Sequence, residues 1–408
     1  MYVCSRMLTM EKNHLSDRIN SLSESQTIGM AKLSRELSAK GIDVINLSLG
    51  EPDFITPDHI RNAAKKAIDD GYTHYSPISG FAELRKAISE KFKRENNLNF
   101  APDQIVVSTG AKQSIANVIL SLINPGEEVI IPLPYWVSYI EVVKLAEGVV
   151  VPISTSIDSD FKMTAEQLEA AITPKTKMLI FSSPCNPTGT VFTREELKSF
   201  AEVIARHPEV YVLSDEIYEH INFLDQHVSI AEFDEIKERV IVVNGLSKSF
   251  AMTGWRIGYI GAPKWIANAC DKMQGQITSG TSSISQKAAE TALNSDLKPT
   301  LDMKAAFRRR RDLVLKLMKE IPGWKVNEPK GAFYVFPDVS YYFGKSAGDK
   351  IINNATDLCM YLLHHAHVSI VTGEAFGDPD CVRFSYAAAD DRLVEAIRRI
   401  KEALSKLK

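Results

Sequence analysis

The stretch QIVVSTGAKQSIANVILSLI, residues 104 to 123, decides the fold class. Its first residues form a short run rich in β-branched side chains, typical of a buried strand, and the residues after Gly110 have the apolar spacing of a helix. The alternation continues to about residue 262 through the strand-like runs EEVIIP, GVVVPI, MLIFSS, VYVLS, VIVVN and IGYIGA. Near-continuous apolar strands alternating with helices predict a mostly parallel, seven-stranded sheet covered on both faces, and therefore an α/β fold.

The length of the chain predicts more than one domain, because 408 residues exceed the size at which a single core stops growing. Towards the C-terminus the runs KVNEPKGAFYVFPDV and CVRFSYA are typical of a smaller sheet, and DRLVEAIRRIKEALSKL is typical of an amphipathic helix. We predict an N-terminal arm and part of a small domain in residues 1–57, a large domain in residues 58–297, and a small α+β domain in residues 298–408.

The composition argues against several classes of partner. A net charge of −3 gives no electrostatic reason to expect nucleic acid or an anionic membrane. Five cysteines without a CxxC pair argue against a disulfide framework or a zinc site. The sequence has no signal-peptide pattern and no run of 18 apolar residues, so we expect a cytoplasmic protein that acts on small molecules. Met1, Met7 and Met10 are alternative starts.

Side chains with distinct chemistry follow five of the predicted strands. The carboxyl ends of parallel strands open onto one crevice, where ligands bind. These residues are Gly110 after QIVVS, Trp136 after EEVIIP, Asn186 after MLIFSS, Asp215 and Tyr218 after VYVLS, and Lys248 after VIVVN. Taken singly, each residue is ordinary in a turn, a core or a solvated loop. Together they predict one ligand site at this edge of the sheet.

The set of groups indicates pyridoxal 5′-phosphate as the ligand. The Lys248 amine condenses with an aldehyde, and Asp215 keeps a pyridine nitrogen protonated. Asn186 and Tyr218 are donors for the phenolic oxygen of the cofactor, and Trp136 stacks on its ring. The phosphate fits the N–H groups at a helix start, a hydroxyl and a guanidinium, supplied here by Gly110, Ala111, Ser247 and Arg256.

Several motifs together identify the family that this sequence resembles. They are LSLGEPDF, YSPISGFAELRKAI, NPTGTVFT, SDEIYEHI, GLSKSFAMTGWRIGY, GEAFG and VRFSYA. In this order they are similar to the fold-type I, class I pyridoxal-phosphate-dependent aminotransferases, most closely the aspartate aminotransferase branch. The resemblance extends from about Ser25 to the C-terminus.

The resemblance implies roles for individual residues. Lys248 matches the lysine that forms the Schiff base and transfers protons, with Asp215 and Tyr218 as its catalytic companions. Tyr75 matches a tyrosine that reaches the phosphate of the neighbouring subunit, which implies a homodimer with shared active sites. The substrate contacts are implied at Gly50, Trp136, Asn186 and Arg383. The Asn186–Pro187 peptide bond is expected to be cis.

The amino donor is the least determined part of the prediction. Lys112, beside the phosphate loop, matches a contact of both cofactor and substrate, and Ser25 and Thr27 lie where some members of the branch bind an acidic side chain. A second arginine for a distal carboxylate has no counterpart. The predicted reaction is L-aspartate with 2-oxoglutarate, giving oxaloacetate and L-glutamate by a ping-pong mechanism.

Other functions on the same fold remain alternatives. They are transamination of prephenate, aromatic amino acids or alanine, and β-elimination by a lyase. The effector-sensing domain of a transcription regulator is a further alternative, disfavoured because only about 25 residues precede the matching region. The presence of Lys248 disfavours a non-catalytic structural homologue. Two charged runs are predicted to be solvated: the helix end with His364, His365 and His367, and the helix face Arg308 to Arg311. No GxGxxG motif follows a strand, which argues against a dinucleotide.

Overall fold

The computed structural model describes residues 14–224, 226–348 and 350–408. The alternative starts Met1, Met7 and Met10 lie outside the described residues. Among the residues that the structure describes, no helix is both long enough and apolar enough to cross a bilayer.

The described strands and helices alternate through the first two thirds of the chain, as predicted. The strands are β1 Ile45–Asn46, β2 Ile105–Ser108, β3 Glu128–Pro132, β4 Val149–Ile153, β5 Thr176–Ser182, β6 Tyr211–Asp215, β7 Val240–Gly245, β8 Gly258–Gly261, β9 Tyr334–Val335, β10 Ser346–Ala347, β11 Lys350–Ile351, β12 Val368–Ser369, β13 Val371–Thr372 and β14 Val382–Ser385. The α-helices are α1 Asp17–Asn20, α2 Gln26–Ala39, α3 Asp58–Asp69, α4 Ala82–Asn96, α5 Ala111–Leu122, α6 Ser138–Leu145, α7 Ala165–Ala171, α8 Arg194–Arg206, α9 Lys264–Ile277, α10 Ser283–Leu293, α11 Lys298–Met318, α12 Ala355–His365 and α13 Asp390–Leu404.

The central sheet confirms the predicted α/β fold. It has seven strands in the order β2-β8-β7-β6-β5-β3-β4. All neighbouring strands are parallel except β8, which runs antiparallel to both β2 and β7. Successive residues of β7 pack into two different cores: Val240 and Val242 face one, and Ile241 and Val243 face the other. Helices cover both faces, which is why most positions of these strands are apolar.

The remaining strands form a smaller structural region with its own core. Strands β13, β14 and β9 form an antiparallel sheet, and β1 pairs with β12 in parallel. Apolar side chains of α11, α12 and α13 pack against these strands. Pairing of Ile45 with Val368 places the N-terminal segment beside the C-terminal segment, as the sequence predicted. The domain limits at residues 57 and 297 stay a prediction.

The predicted exposed arginine run on α11 is wrong for two of its four members. Arg308 and Arg309 are exposed, whereas Arg310 and Arg311 are both 7% exposed. Arg310 forms a bidentate ion pair with Asp53, at 2.7 and 2.9 Å, and also contacts Asp390. These carboxylates come from distant parts of the sequence, so the run itself gave no sign of them. His364 and His365 are exposed, as predicted, and His367 is half-buried.

Candidate active site

One cavity lies at the carboxyl edge of the central sheet, beside the ends of β5, β6 and β7. Its volume is about 240 Å³. Segments from the N-terminal arm and from β14 complete its walls. The sequence-predicted residues that line it are Ser25, Thr27, Gly50, Ala111, Lys112, Trp136, Asn186, Asp215, Tyr218, Ser247, Lys248, Arg256 and Arg383. The fold therefore brings together side chains that are spread over most of the chain.

Arg256 lines the end of the cavity nearest helix α5, and Gly110, which does not itself line the cavity, lies directly against it. Gly110 has a φ of 86°, and a Cβ atom added to it would overlap the Arg256 guanidinium. Gly258 is equally constrained, because a Cβ atom there would overlap the backbone nitrogen of Ala111. Arg256 donates from Nη1 to the Thr253 carbonyl at 2.9 Å, and it has no ion pair among the described residues. A guanidinium beside a helix N-terminus suits an anion.

Asp215 ends strand β6 as a buried carboxylate with two donors. Its Oδ2 accepts a hydrogen bond from the Tyr139 hydroxyl at 2.7 Å, and its Oδ1 accepts one from the Ile217 N–H at 3.2 Å. Burial raises the pKa of Asp215 to about 6, although the hydrogen bond from Tyr139 opposes the rise. A buried acid of this kind is stabilised by a cationic group placed next to it.

Lys248 follows strand β7 and points into the cavity. Its Nζ donates to the Gly50 carbonyl at 2.6 Å. Burial lowers the pKa of the Lys248 amine to about 8, against the attraction of Glu51, and the guanidinium groups of Arg256 and Arg383 lower it further. The amine is thus more easily deprotonated than an ordinary lysine, which favours its use as a nucleophile and a base.

Arg383 is a buried guanidinium that has no carboxylate partner among the residues that the structure describes. It is 2% exposed, and burial lowers its pKa. Its Nη1 donates to Asn186 Oδ1 at 3.0 Å and its Nη2 donates to the Ser48 carbonyl. Its Nε, also buried, has no hydrogen-bond partner within the described part of the chain. An anionic ligand would offset the cost of this buried charge.

The Asn186–Pro187 peptide bond, beside Arg383, is cis, as predicted.

Lys112, Ser25 and Thr27 line the side of the cavity formed by helices α5 and α2. The Lys112 Nζ lies 5.1 Å from the centre of the Trp136 ring. Burial lowers the pKa of Lys112, and the charge of Arg256 adds to the effect. Thr27 Oγ1 is buried without a hydrogen-bond partner among the described residues. This wall therefore offers a cation and hydroxyl groups to a ligand.

Tyr75 does not line the cavity of its own chain. It is 99% exposed and lies beside the segment Gly280–Ile284. A fully exposed tyrosine has no packing role within one chain. Its predicted role, in the site of a neighbouring subunit, stays a prediction.

Two buried tyrosines in the cavity wall were missed from the sequence. Tyr139 donates a hydrogen bond to Asp215 from helix α6, and its position three residues after Trp136, in the segment that follows β3, was a signal that could have found it. Tyr334 contacts Tyr218 through its hydroxyl at 2.8 Å. It lies in the run AFYVF, which is indistinguishable from an ordinary core strand. No local pattern marks this tyrosine.

Comparisons with known proteins agree with the geometry of the cavity. Residues 42–400 match the family model described as aminotransferase class I and II. The chain is 49% identical, over 97% of its length and 83% of the relative, to a bifunctional aspartate aminotransferase and glutamate/aspartate-prephenate aminotransferase of Petunia hybrida. It is 47% identical to an aspartate/prephenate aminotransferase of Cereibacter sphaeroides, covering 95% of this chain and 98% of that one. The crystal structure of the aspartate aminotransferase from Rhizobium meliloti superposes with a TM-score of 0.93 at 43% identity, covering 97% and 100% of the chains.

Proposed function

This chain belongs to the class I and II aminotransferases, and from that membership we propose that it transfers the amino group of L-aspartate to 2-oxoglutarate with pyridoxal 5′-phosphate held at Lys248. The observation that carries the proposal is the convergence of three groups on one cavity. They are an amine of lowered pKa, a buried acid and a buried guanidinium that forms no ion pair within the described part of the chain, namely Lys248, Asp215 and Arg383.

The donor set fits pyridoxal phosphate. The Gly110 turn, Ser247 and Arg256 would hold its phosphate. The Arg256 guanidinium lies so close to Gly110 that a Cβ atom there would overlap it, so the cation and the turn contact the same end of the cavity. Asp215 would hold the pyridine nitrogen, whose positive charge offsets the cost of the buried carboxylate. When bound, the cofactor withdraws electrons from the substrate Cα and so makes its proton removable.

The residues of this chain supply positioning and proton transfer. Arg383 would bind the α-carboxylate of the substrate bidentately, which fixes the direction of the Cα–H bond. The Lys248 Nζ, with its pKa of about 8, would take the proton from the substrate Cα. It would later return this proton to the cofactor carbon that was the aldehyde carbon. Tyr218 and Asn186 would donate to the phenolic oxygen of the cofactor.

Lys112 supports an acidic substrate. It is an exposed cation without an ion pair among the described residues, and it lies on the wall lined by Ser25 and Thr27. The distal carboxylate of aspartate would pair with the Lys112 ammonium and accept hydrogen bonds from the hydroxyl groups of this wall. Prephenate is the second candidate, because it also carries two carboxylates and the Petunia and Cereibacter relatives are named for both activities.

A half-reaction survey tests the choice of substrate. The enzyme loaded with pyridoxal phosphate is mixed with single amino acids, and the change in cofactor absorbance is followed. We expect fast conversion with aspartate and glutamate. Equal rates with alanine or phenylalanine would contradict a preference for acidic amino acids. In a second experiment prephenate is added to the aminated enzyme, and the rate at which it accepts the amino group tests prephenate as the alternative substrate.

Borohydride reduction of the loaded enzyme tests the position of the cofactor. We expect a phosphopyridoxyl group on the one peptide that contains Lys248. Labelling of another lysine, or no labelling, would rule out the proposed site. The Lys248→Ala variant should still bind the cofactor, without a covalent link, and lose turnover.

A homodimer with shared sites is part of the proposal. It is supported by the exposure of Tyr75, which the family resemblance assigns to a neighbouring site.

A further inference from the structure

We propose that Tyr334 is a positioning residue that couples the cofactor contact of Tyr218 to the substrate contact of Arg383. The inference rests on the proposed function, because it assigns Tyr334 a role within the same cavity. Tyr334 lies on β9, is fully buried, and lines the cavity. It meets Tyr218 through its hydroxyl and Arg383 through its ring.

The Tyr334 ring fixes the plane of the Arg383 guanidinium. Tyr334 pairs with Ser385 across the antiparallel strands β9 and β14, and Arg383 lies two residues before Ser385 on the same face of the sheet. The Arg383 Cζ lies 4.7 Å from the centre of the Tyr334 ring and 4.8 Å from that of Phe376. The guanidinium thus contacts two aromatic rings, and these contacts add to its hydrogen bonds.

The Tyr334 hydroxyl has one partner among the described residues, the hydroxyl of Tyr218 at 2.8 Å. Burial raises the pKa of both phenols, so both are neutral and each has a single hydrogen. Tyr218 has a single hydrogen, which the proposed function directs to the phenolic oxygen of the cofactor. In the hydrogen bond between the two hydroxyls, Tyr334 is then the donor and Tyr218 the acceptor.

Two hydrogen bonds then follow one another: Tyr334 donates to Tyr218, and Tyr218 donates to the ligand. A phenol that accepts one hydrogen bond becomes a better donor in the next. Tyr334 would thus strengthen the bond that Tyr218 donates to the phenolic oxygen of the cofactor. A stronger bond there stabilises the negative charge on that oxygen and lowers the pH at which the resting cofactor loses its proton.

Gly50 packs directly against the Tyr334 hydroxyl. A Cβ atom at residue 50 would overlap the Tyr334 hydroxyl. The carbonyl of the same Gly50 accepts the hydrogen bond from Lys248 at 2.6 Å. Tyr334 therefore packs against the segment that contacts the proposed Schiff-base lysine.

The hydroxyl role is tested by a pH titration of the visible absorbance of the resting, cofactor-loaded enzyme. In Tyr334→Phe we expect the midpoint to move upward by roughly half a pH unit, consistent with the modest strengthening typical of coupled hydrogen bonds. The matched control is Tyr386→Phe, which removes a buried hydroxyl bonded to the Ala332 carbonyl at 3.1 Å and outside the cavity. The control should keep the wild-type midpoint. An unchanged midpoint in Tyr334→Phe would overturn the inference.

A double-variant cycle shows whether Tyr334 acts through Tyr218. If it does, Tyr218→Phe and Tyr218→Phe/Tyr334→Phe should have the same absorbance midpoint. The double variant replaces both partners of one buried hydrogen bond by apolar groups, which is well tolerated, so this comparison holds even if the single variant is unstable. An undiminished second shift in the Tyr218→Phe background would overturn the coupling.

The ring role is tested by binding of succinate, a dicarboxylate that cannot react. Tyr334→Phe keeps the ring and should bind succinate with wild-type affinity, whereas Tyr334→Leu should bind it roughly tenfold more weakly. Equal affinities in the two variants would contradict the ring contact. Failure of the proposed function is distinguishable, because wild-type enzyme would then show no cofactor absorbance to titrate.

Discussion

At the scale of single residues, burial has opposite effects on the two central ionisable groups. It raises the pKa of Asp215 to about 6 and lowers that of Lys248 to about 8, because in each case it disfavours the charged form. Both charges are therefore costly to the fold alone. A ligand with a cationic nitrogen and an aldehyde relieves both costs at once.

Asp215→Asn should stabilise the ligand-free protein at alkaline pH while abolishing transamination. Between pH 3.8 and 6 the folded chain binds a proton that the unfolded chain has lost, so the contribution of Asp215 to stability falls as pH rises through this window. The full difference is about 3 kcal/mol. Urea unfolding at pH 8 should give a larger free energy of unfolding for the variant, and the advantage should vanish near pH 4. A less stable variant at pH 8 would contradict the assignment.

Lys112→Met should weaken the use of aspartate selectively. Loss of a charge-assisted contact to the distal carboxylate should reduce kcat/KM for aspartate by roughly 10- to 100-fold, with that for alanine little changed. The control is Lys144→Met, because Lys144 is paired with Glu141 at 3.0 Å and does not line the cavity. Equal losses for aspartate and alanine would assign Lys112 to the cofactor alone.

At the scale of elements, the strands could be predicted from the sequence because each forms a short apolar run. All seven strands of the central sheet were found because most of their positions are apolar and their polar residues lie mainly at the strand ends. Helix α11 shows the opposite case. Its arginine run has the sequence of a solvated face, but Arg310 is buried against Asp53, which is 257 positions away in the sequence. Partners that distant leave no local signal.

Arg310→Met should destabilise the protein, whereas Arg308→Met should not. Removing Arg310 leaves Asp53 and Asp390 without the cation that joins them, and because both carboxylates keep some contact with solvent we expect a loss of about 2 kcal/mol. Arg308 is exposed on the same helix, so its replacement should change stability by less than about 0.5 kcal/mol. Thermal unfolding of both variants measures the difference, and equal midpoints would contradict the role of Arg310.

At the scale of the whole molecule, the candidate site combines residues found by two different routes. The groups at the ends of the central strands, such as Asp215 and Lys248, followed from the geometry of parallel sheets. Gly50 and Arg383 lie outside that sheet, and only the family resemblance suggested them. Tyr334 was suggested by neither, because its contact with Tyr218 depends on how the smaller sheet packs against the larger one.

Mixing two inactive variants tests the proposed dimer. In a hybrid of Lys248→Ala and Tyr75→Ala subunits, one of the two sites has both residues intact, so activity should reappear after the subunits exchange. A mixture of Lys248→Ala with Asp215→Ala should stay inactive, because both of these residues belong to the same chain's cavity and no hybrid site is complete. No recovery in the first mixture, or recovery in the second, would argue against shared sites.

The position of Arg383 on the last strand, β14, has a consequence for biosynthesis. Within one chain, every side chain proposed to hold the cofactor precedes it, so a nascent chain interrupted before β14 would contain those groups and lack the substrate arginine. Translation therefore produces the side chains proposed to hold the cofactor before the arginine proposed to bind the α-carboxylate of the substrate.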